Sequence, residues 1–244
     1  MKEKLKNFVK SFKNELIENS KFIKRSGIVI IVFVIIFGGF IMNCFVPSES
    51  MSPILEPGQM YIATRVAYIK DSPKRGDIVV FKAPDEEHSK YVKRIIGLPG
   101  ELVYIDNNKV NIDNQNLDEP YLKEKMADGF GPCYIPKKGD EVALKNVQRD
   151  VKGNLVYANC YIGNYYVGNV GAYQEDNTGL FKVKRKKIDF LKKYCKKSNG
   201  KYIIKEDTYF LMGDNRNNSF DARYWDYTYV KESKIIAKYL FSYL

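Results

Sequence analysis

Residues 27–46, GIVIIVFVIIFGGFIMNCFV, run for 20 positions without a charged side chain. About 20 apolar residues are what a helix needs to cross the hydrocarbon of a bilayer. A basic stretch stands before this run, with Lys2, Lys4, Lys6, Lys10, Lys13, Lys21, Lys24 and Arg25. From Pro47 to Thr64 there is no Lys or Arg, while Glu49 and Glu56 occur. The bias of basic residues toward the cytoplasmic side predicts a cytoplasmic N-terminus and an extracytoplasmic chain beyond residue 46. A cleaved secretory signal is the competing reading. The run exceeds the usual apolar length of such signals and no A-x-A-like site follows. A lipoprotein-type cut before Cys44 is opposed by Asn43, which is not small. An uncleaved, single-pass anchor in the cell membrane is the expectation.

Seen this way, part of the net charge of +11 is a topology signal. It favours anionic partners such as phospholipid headgroups, and the outside topology argues against nucleic acid. His88 is the only histidine and no C-x-x-C pair exists, so no zinc site of ordinary spacing is expected. Cys44 lies in the apolar run; Cys133, Cys160 and Cys195 could close at most one disulfide, and the sequence does not choose a pairing.

Beyond the anchor the chain reads as short strands. RGDIVVFKA, KYVKRIIGL, ELVYIDNNKVNI, GNLVYANCYIGNYYVGNVGAY and KYIIKEDTYFLMG are rich in Val, Ile, Tyr and Phe and are bounded by turn residues. Asn107-Asn108 and Pro99-Gly100 are turn signals. One helix is expected over Lys186–Lys197, with Ile188, Leu191 and Cys195 at i, i+3 and i+7. It reads as a surface helix, its basic face being the alternative source of membrane binding. The organisation expected is a basic cytoplasmic segment (1–26), an anchor (27–46), a β-rich catalytic core (47–110 and 201–244) and an inserted, variable subdomain (111–200). The inserted stretch carries no catalytic-looking cluster.

Three segments look chemically purposeful. Pro47-Ser48-Glu49-Ser50-Met51-Ser52-Pro53-Ile54-Leu55 begins where the apolar run ends. Chain length alone keeps Ser50 within roughly 15 Å of the end of that run. In Tyr91-Val92-Lys93-Arg94-Ile95-Ile96, a strand puts Lys93 on a face with Tyr91 and Ile95. Burial there disfavours the charged amine, and a neutral lysine is a general base, which an arginine cannot be. A serine hydroxyl needs a base. His88 sits among charged residues, so lysine is the better candidate. The third segment, Met212 to Trp225, packs Asp214, Arg216, Asp221, Arg223 and the single Trp into a short loop. Such density ties a loop down by ion pairs and side chain-to-backbone bonds.

Together these segments resemble the type I signal peptidases, the bacterial leader peptidase family with a Ser–Lys dyad. The resemblance rests on the anchor, Pro-Ser-x-Ser-Met-x-Pro-x-Leu from Pro47, Arg75-Gly76-Asp77-Ile78-Val79-Val80-Phe81, Tyr91 to Gly100, and Gly213-Asp214-Asn215-Arg216-x-Asn218-Ser219-x-Asp221-x-Arg223. It covers the anchor, about 47–101 and about 202–232. It implies a mainly β catalytic domain behind one N-terminal transmembrane helix. Ser50 is then the nucleophile, Lys93 the general base and Ser219 the residue orienting the Lys93 amine. The Ser50 N–H and the Ser48 hydroxyl form the oxyanion hole, while Asp214, Arg216, Asp221 and Arg223 brace the site. The implied substrates are secretory precursors, bound as an added strand, with small residues at the first and third positions before the cut. No metal or organic cofactor is implied. The departures are Ile54, Gln59, Asn217 and Ala222, none of them a proposed catalytic group.

Three rivals are set against this. A self-cleaving repressor or translesion-type peptidase shares the dyad but carries a DNA-binding domain rather than an anchor. An inactive, membrane-anchored binding or assembly module would lose Ser50 or Lys93. A nucleic-acid binder is suggested only by the charge and the Lys182–Lys197 cluster.

Overall fold

The structure, a computed structural model, describes residues 2–85, 88–122, 124, 126, 129–171 and 188–243. The chain divides into two units, 1–42 and 43–244. In the first, helix α1 spans Lys2–Phe40. Its segment Phe22–Phe40 is long and apolar enough to cross a membrane and is unburied by protein. The apolar run outlasts this helix, because Ile41–Phe45 forms strand β1.

The second unit is built from antiparallel strands. Along the chain come β2 (Met60–Thr64), β3 (Ile78–Lys82) and β4 (Lys90–Gly97). Next are β5 (Leu102–Asp106), β6 (Lys109–Ile112), β7 (Gln115–Asn116) and β8 (Phe130–Tyr134). Then follow β9 (Glu141–Arg149), β10 (Leu155–Ile162), β11 (Tyr165–Gly171), β12 (Ile188–Asp189), helix α2 (Phe190–Tyr194), β13 (Cys195–Ser198) and β14 (Lys201–Ile204). The chain closes with β15 (Thr208–Met212), β16 (Val230–Lys231) and β17 (Ile235–Tyr243).

These strands make three sheets, ordered β1-β2-β17-β3-β4-β15-β16, β12-β11-β10-β9-β14-β13 and β7-β6-β5-β8. The chain leaves the seven-stranded sheet after β4 and returns at β15. Between them lie the strands of both smaller sheets, an excursion that opens earlier than residue 111. One buried cluster nevertheless joins the three sheets, including Phe81, Ile95 and Phe210 with Val103 and Cys160.

Strands β3 and β15 show why the apolar runs fold as they do. Ile78–Phe81 and all of β15 are buried, as near-continuous apolar runs require when both faces are covered. The Asn107-Asn108 turn joins β5 to β6 with φ of 50° and 62°. Two left-handed residues match the twist of a tight hairpin, and Asn tolerates that conformation best after Gly.

The helix expected over Lys186–Lys197 is corrected. Lys186 and Lys187 lie outside the described residues, Ile188–Asp189 pairs with β11, and Cys195–Ser198 pairs with β14. Only Phe190–Tyr194 coils, capped by Asp189 accepting the Lys192 N–H. A single turn is too short to be stable alone, and strand pairing on both sides claimed the rest. All four cysteines are free thiols, three of them buried.

Candidate active site

Ser50 sits in a one-turn 3₁₀ segment, Glu49–Met51. Met51 and Leu55 are fully buried and pin this turn to the core; the Leu55 N–H donates to the Met51 carbonyl at 3.0 Å. Lys93 arrives from β4, opposite Val79 of β3. Its Nζ lies 2.6 Å from Ser50 Oγ. Both residues are buried, at 5% exposure for Lys93 and 8% for Ser50. Burial lowers the Lys93 pKa to about 8; Asp221 and Asp214 oppose that shift and Arg223 assists it. Desolvation therefore outweighs the two carboxylates, each of which is already paired with an arginine.

The pairing is specific. Arg94 lies opposite Met212 in the sheet, which brings its guanidinium to Asp214 in a two-pronged contact at 2.7 and 2.6 Å. Arg223 grips Asp221 at 2.8 and 2.9 Å, and Asp221 also accepts the Gly213 N–H at 3.0 Å. Both aspartates still favour the charged amine, but with an arginine on each they do so less than burial opposes it.

The loop after β15 also clasps the serine turn directly. Asn215 donates its N–H to the Ser50 carbonyl at 3.1 Å, and Asn218 Nδ2 donates to Glu49 Oε2 at 3.0 Å. The approach needs a glycine. A Cβ on Gly213 would stand 2.2 Å from Ser219 Oγ and 2.3 Å from the Ser50 carbonyl oxygen.

Among the residues named from sequence, Ser50 and Lys93 meet, and Asp214, Arg216, Asp221 and Arg223 form the buried loop around them. The Ser48 hydroxyl lies 3.4 Å from Ser50 Oγ. Ser219 packs against Gly213, but its buried hydroxyl has no hydrogen-bond partner among the described residues. His88 is exposed. A cavity of about 430 Å³ opens over the pair, with Ser48, Tyr61, Val80 and Phe220 in its walls.

Sequence reading missed four contributors. Arg94 was read only as a strand cation, and Gly213 only as part of a motif. Glu119 and Tyr121 were absorbed into the inserted stretch. Arg216 donates to both oxygens of Glu119, and the Tyr121 ring lies 3.9 Å from the Arg94 guanidinium carbon. Nothing periodic marks either residue. The only usable signal was a buried-charge argument: a loop with that many arginines needs carboxylates from elsewhere.

Comparison with known proteins gives the family of the chain. The family described as "Signal peptidase, peptidase S26" matches residues 19–244. Signal peptidase I of Buchnera aphidicola subsp. Baizongia pistaciae is 31% identical, over 87% of this chain and 73% of that protein. Signal peptidase I of Buchnera aphidicola subsp. Schizaphis graminum is also 31% identical, over 97% and 80%. That of Pseudomonas aeruginosa is 30% identical, over 83% and 62%.

Proposed function

The chain belongs to the signal peptidase family, peptidase S26, and on that footing we propose that it is a membrane-bound serine endopeptidase removing signal peptides from exported precursors. Ser50 is its nucleophile and Lys93 its general base. The carrying observation is the 2.6 Å separation of Lys93 Nζ and Ser50 Oγ at a position where burial favours the neutral amine.

In the first step neutral Lys93 takes the Ser50 proton as Oγ bonds to the scissile carbonyl carbon. The negative charge that develops on the carbonyl oxygen is stabilised by the Ser50 N–H and the Ser48 hydroxyl. Lys93, now an ammonium, returns its proton to the leaving amine as the C–N bond breaks. Water then hydrolyses the acyl ester, with Lys93 again accepting a proton. Asp214, Arg216, Asp221 and Arg223 hold the loop in register, while the amine-orienting role that the resemblance implies for Ser219 has no hydrogen bond behind it among the described residues.

The substrate is read as an extended segment beside Lys90–Lys93. β15 pairs with β4 at Arg94, Ile95 and Gly97, and an extended substrate would add its main chain to this sheet as a further strand. Small residues at the first and third positions before the cut follow from the family resemblance. The bilayer is the second partner, with the N-terminus cytoplasmic and the catalytic unit outside, as the Lys/Arg asymmetry suggests. An inactive binding module would have no use for a desolvated lysine against a serine hydroxyl.

The test is cleavage of an exported precursor by the full chain, with the new N-terminus sequenced. Ser50→Ala and Lys93→Arg should each lose about 10³-fold or more in rate. Arginine keeps the charge but cannot accept the proton, so a Lys93→Arg enzyme near wild-type turnover would sink the base assignment. The wild-type rate should rise with pH through about 8 and then level, because only the unprotonated amine is competent. A rate flat from acid to alkaline pH would remove the titrating amine from the mechanism.

A further inference from the structure

Glu119 and Tyr121 belong to the excursion between β4 and β15, remote in sequence from both reacting residues. Yet the Glu119 carboxylate meets Arg216 with both oxygens, Oε2 lying 2.9 Å from Nη1. The two side chains are only 6% and 1% exposed. From that grip Arg216 donates through Nε to the Gly213 carbonyl at 3.0 Å. The Tyr121 hydroxyl donates to Glu119 Oε1 at 2.6 Å, and its ring covers the Arg94 guanidinium at 3.9 Å. Arg94 is the partner of Asp214.

A buried ion pair is weak as a source of stability, because desolvation offsets much of the attraction. What a two-pronged pair supplies is orientation. Here the oriented object is the loop whose Asn215 N–H binds the Ser50 carbonyl and whose Gly213 touches Ser219. The Tyr121 ring, lying over Arg94, also keeps water from the Arg94–Asp214 pair beside Lys93.

We propose that Glu119 and Tyr121 are positioning residues for the Ser50–Lys93 pair, acting through Arg216 and Arg94 on the loop that carries Asp214 and Ser219. The inference rests on the reading of Ser50 and Lys93 as the reacting groups. Among the described residues the charged and titratable groups around Lys93 are Asp214, Asp221, Arg94 and Arg223 on the sheet and loop side, with Cys44, Tyr61, Lys90 and Tyr91 lining the cavity.

The experiment measures kcat against pH for precursor cleavage by the full chain, with melting temperature recorded separately. Tyr121→Leu lets water reach the Arg94–Asp214 pair and changes the field of that pair at Lys93, so the acid limb moves by about half a unit or more. Tyr121→Phe keeps the ring over Arg94 and holds the limb within about 0.2 unit of wild type. Glu119→Gln keeps the size of the side chain but leaves Arg216 an unbalanced cation. The limb then moves down by about half a unit, and kcat falls about tenfold as the loop loosens. Should Tyr121→Leu fail to fold, Glu119→Gln decides alone. Limbs that coincide with wild type, whatever happens to melting temperature, reduce both residues to structural support and overturn the inference. A wild-type chain that cleaves no precursor strikes the proposed function itself.

Discussion

The loop from Gly213 to Arg223 and the six-stranded sheet dispose of charge in opposite ways. In the loop, Asp214, Arg216 and Asp221 are almost fully buried, and each is held by an oppositely charged partner. In the sheet, Lys201 and Glu141 face each other at 2.8 Å with side chains 60% and 53% exposed. One arrangement fixes geometry at the expense of desolvation; the other leaves ions in water. The difference teaches that the buried charges are explained by what they position, since apolar side chains of similar volume would stabilise the fold as well.

Breaking a pair in the loop is therefore expected to have the largest effect on stability. Asp214→Ala leaves Arg94 buried and unbalanced, and should destabilise the chain by about 3–5 kcal/mol in chemical denaturation. A loss under about 1 kcal/mol would mean that Arg94 simply turns to water, and the contrast between the two regions would dissolve.

Removing the buried lysine should have the opposite sign. The folded chain lowers the Lys93 pKa to about 8 from the ordinary 10.5. Between those values the unfolded chain binds more protons, so stability rises with pH across the window. Below pH 8 the burial penalty is present in full. Lys93→Met, which carries no proton and fills similar space, should gain roughly 2–3 kcal/mol at neutral pH while losing cleavage. The gain should shrink as pH rises toward 10.5. A variant less stable than wild type at pH 7 would show that the amine is not held dry.

The same contrast explains what could be read beforehand. The anchor and strands β3, β4 and β15 were legible because each is a local pattern, an apolar run bounded by turn or charged residues. Ser50 and Lys93 were legible because motif and chemistry agreed: a serine needs a base, and the only histidine was badly placed. Glu119 and Tyr121 were not. Each is a single residue in a polar stretch, and its meaning depends on an arginine about a hundred or about thirty positions away. Strand β17 escaped for a different reason. It lies between β2 and β3 in the central sheet, but Lys238 and Ser242 interrupt its apolar pattern. The short helix α2 was overread because apolar residues spaced at i, i+3 and i+7 also occur along a strand, a turn and a second strand.

The smallest effect is expected at Lys201 and Glu141, and it is the sharpest control on the comparison. The two residues sit on neighbouring strands β14 and β9, where Ile203 pairs with Glu141, so their contact is cross-strand and solvated. Exposed pairs of this kind gain little Coulomb energy in water and lose side-chain entropy, leaving about 0.2–1 kcal/mol of coupling. Lys201→Ala, Glu141→Ala and the double variant should give a cycle within that range, falling further as salt is raised. Cleavage rate and its pH dependence should match wild type in all three. A coupling near that of the loop pairs would show that distance alone, not burial, sets the strength of ion pairs in this protein. Buried position would then no longer distinguish the charges that serve the reacting pair from those that merely keep the surface wet.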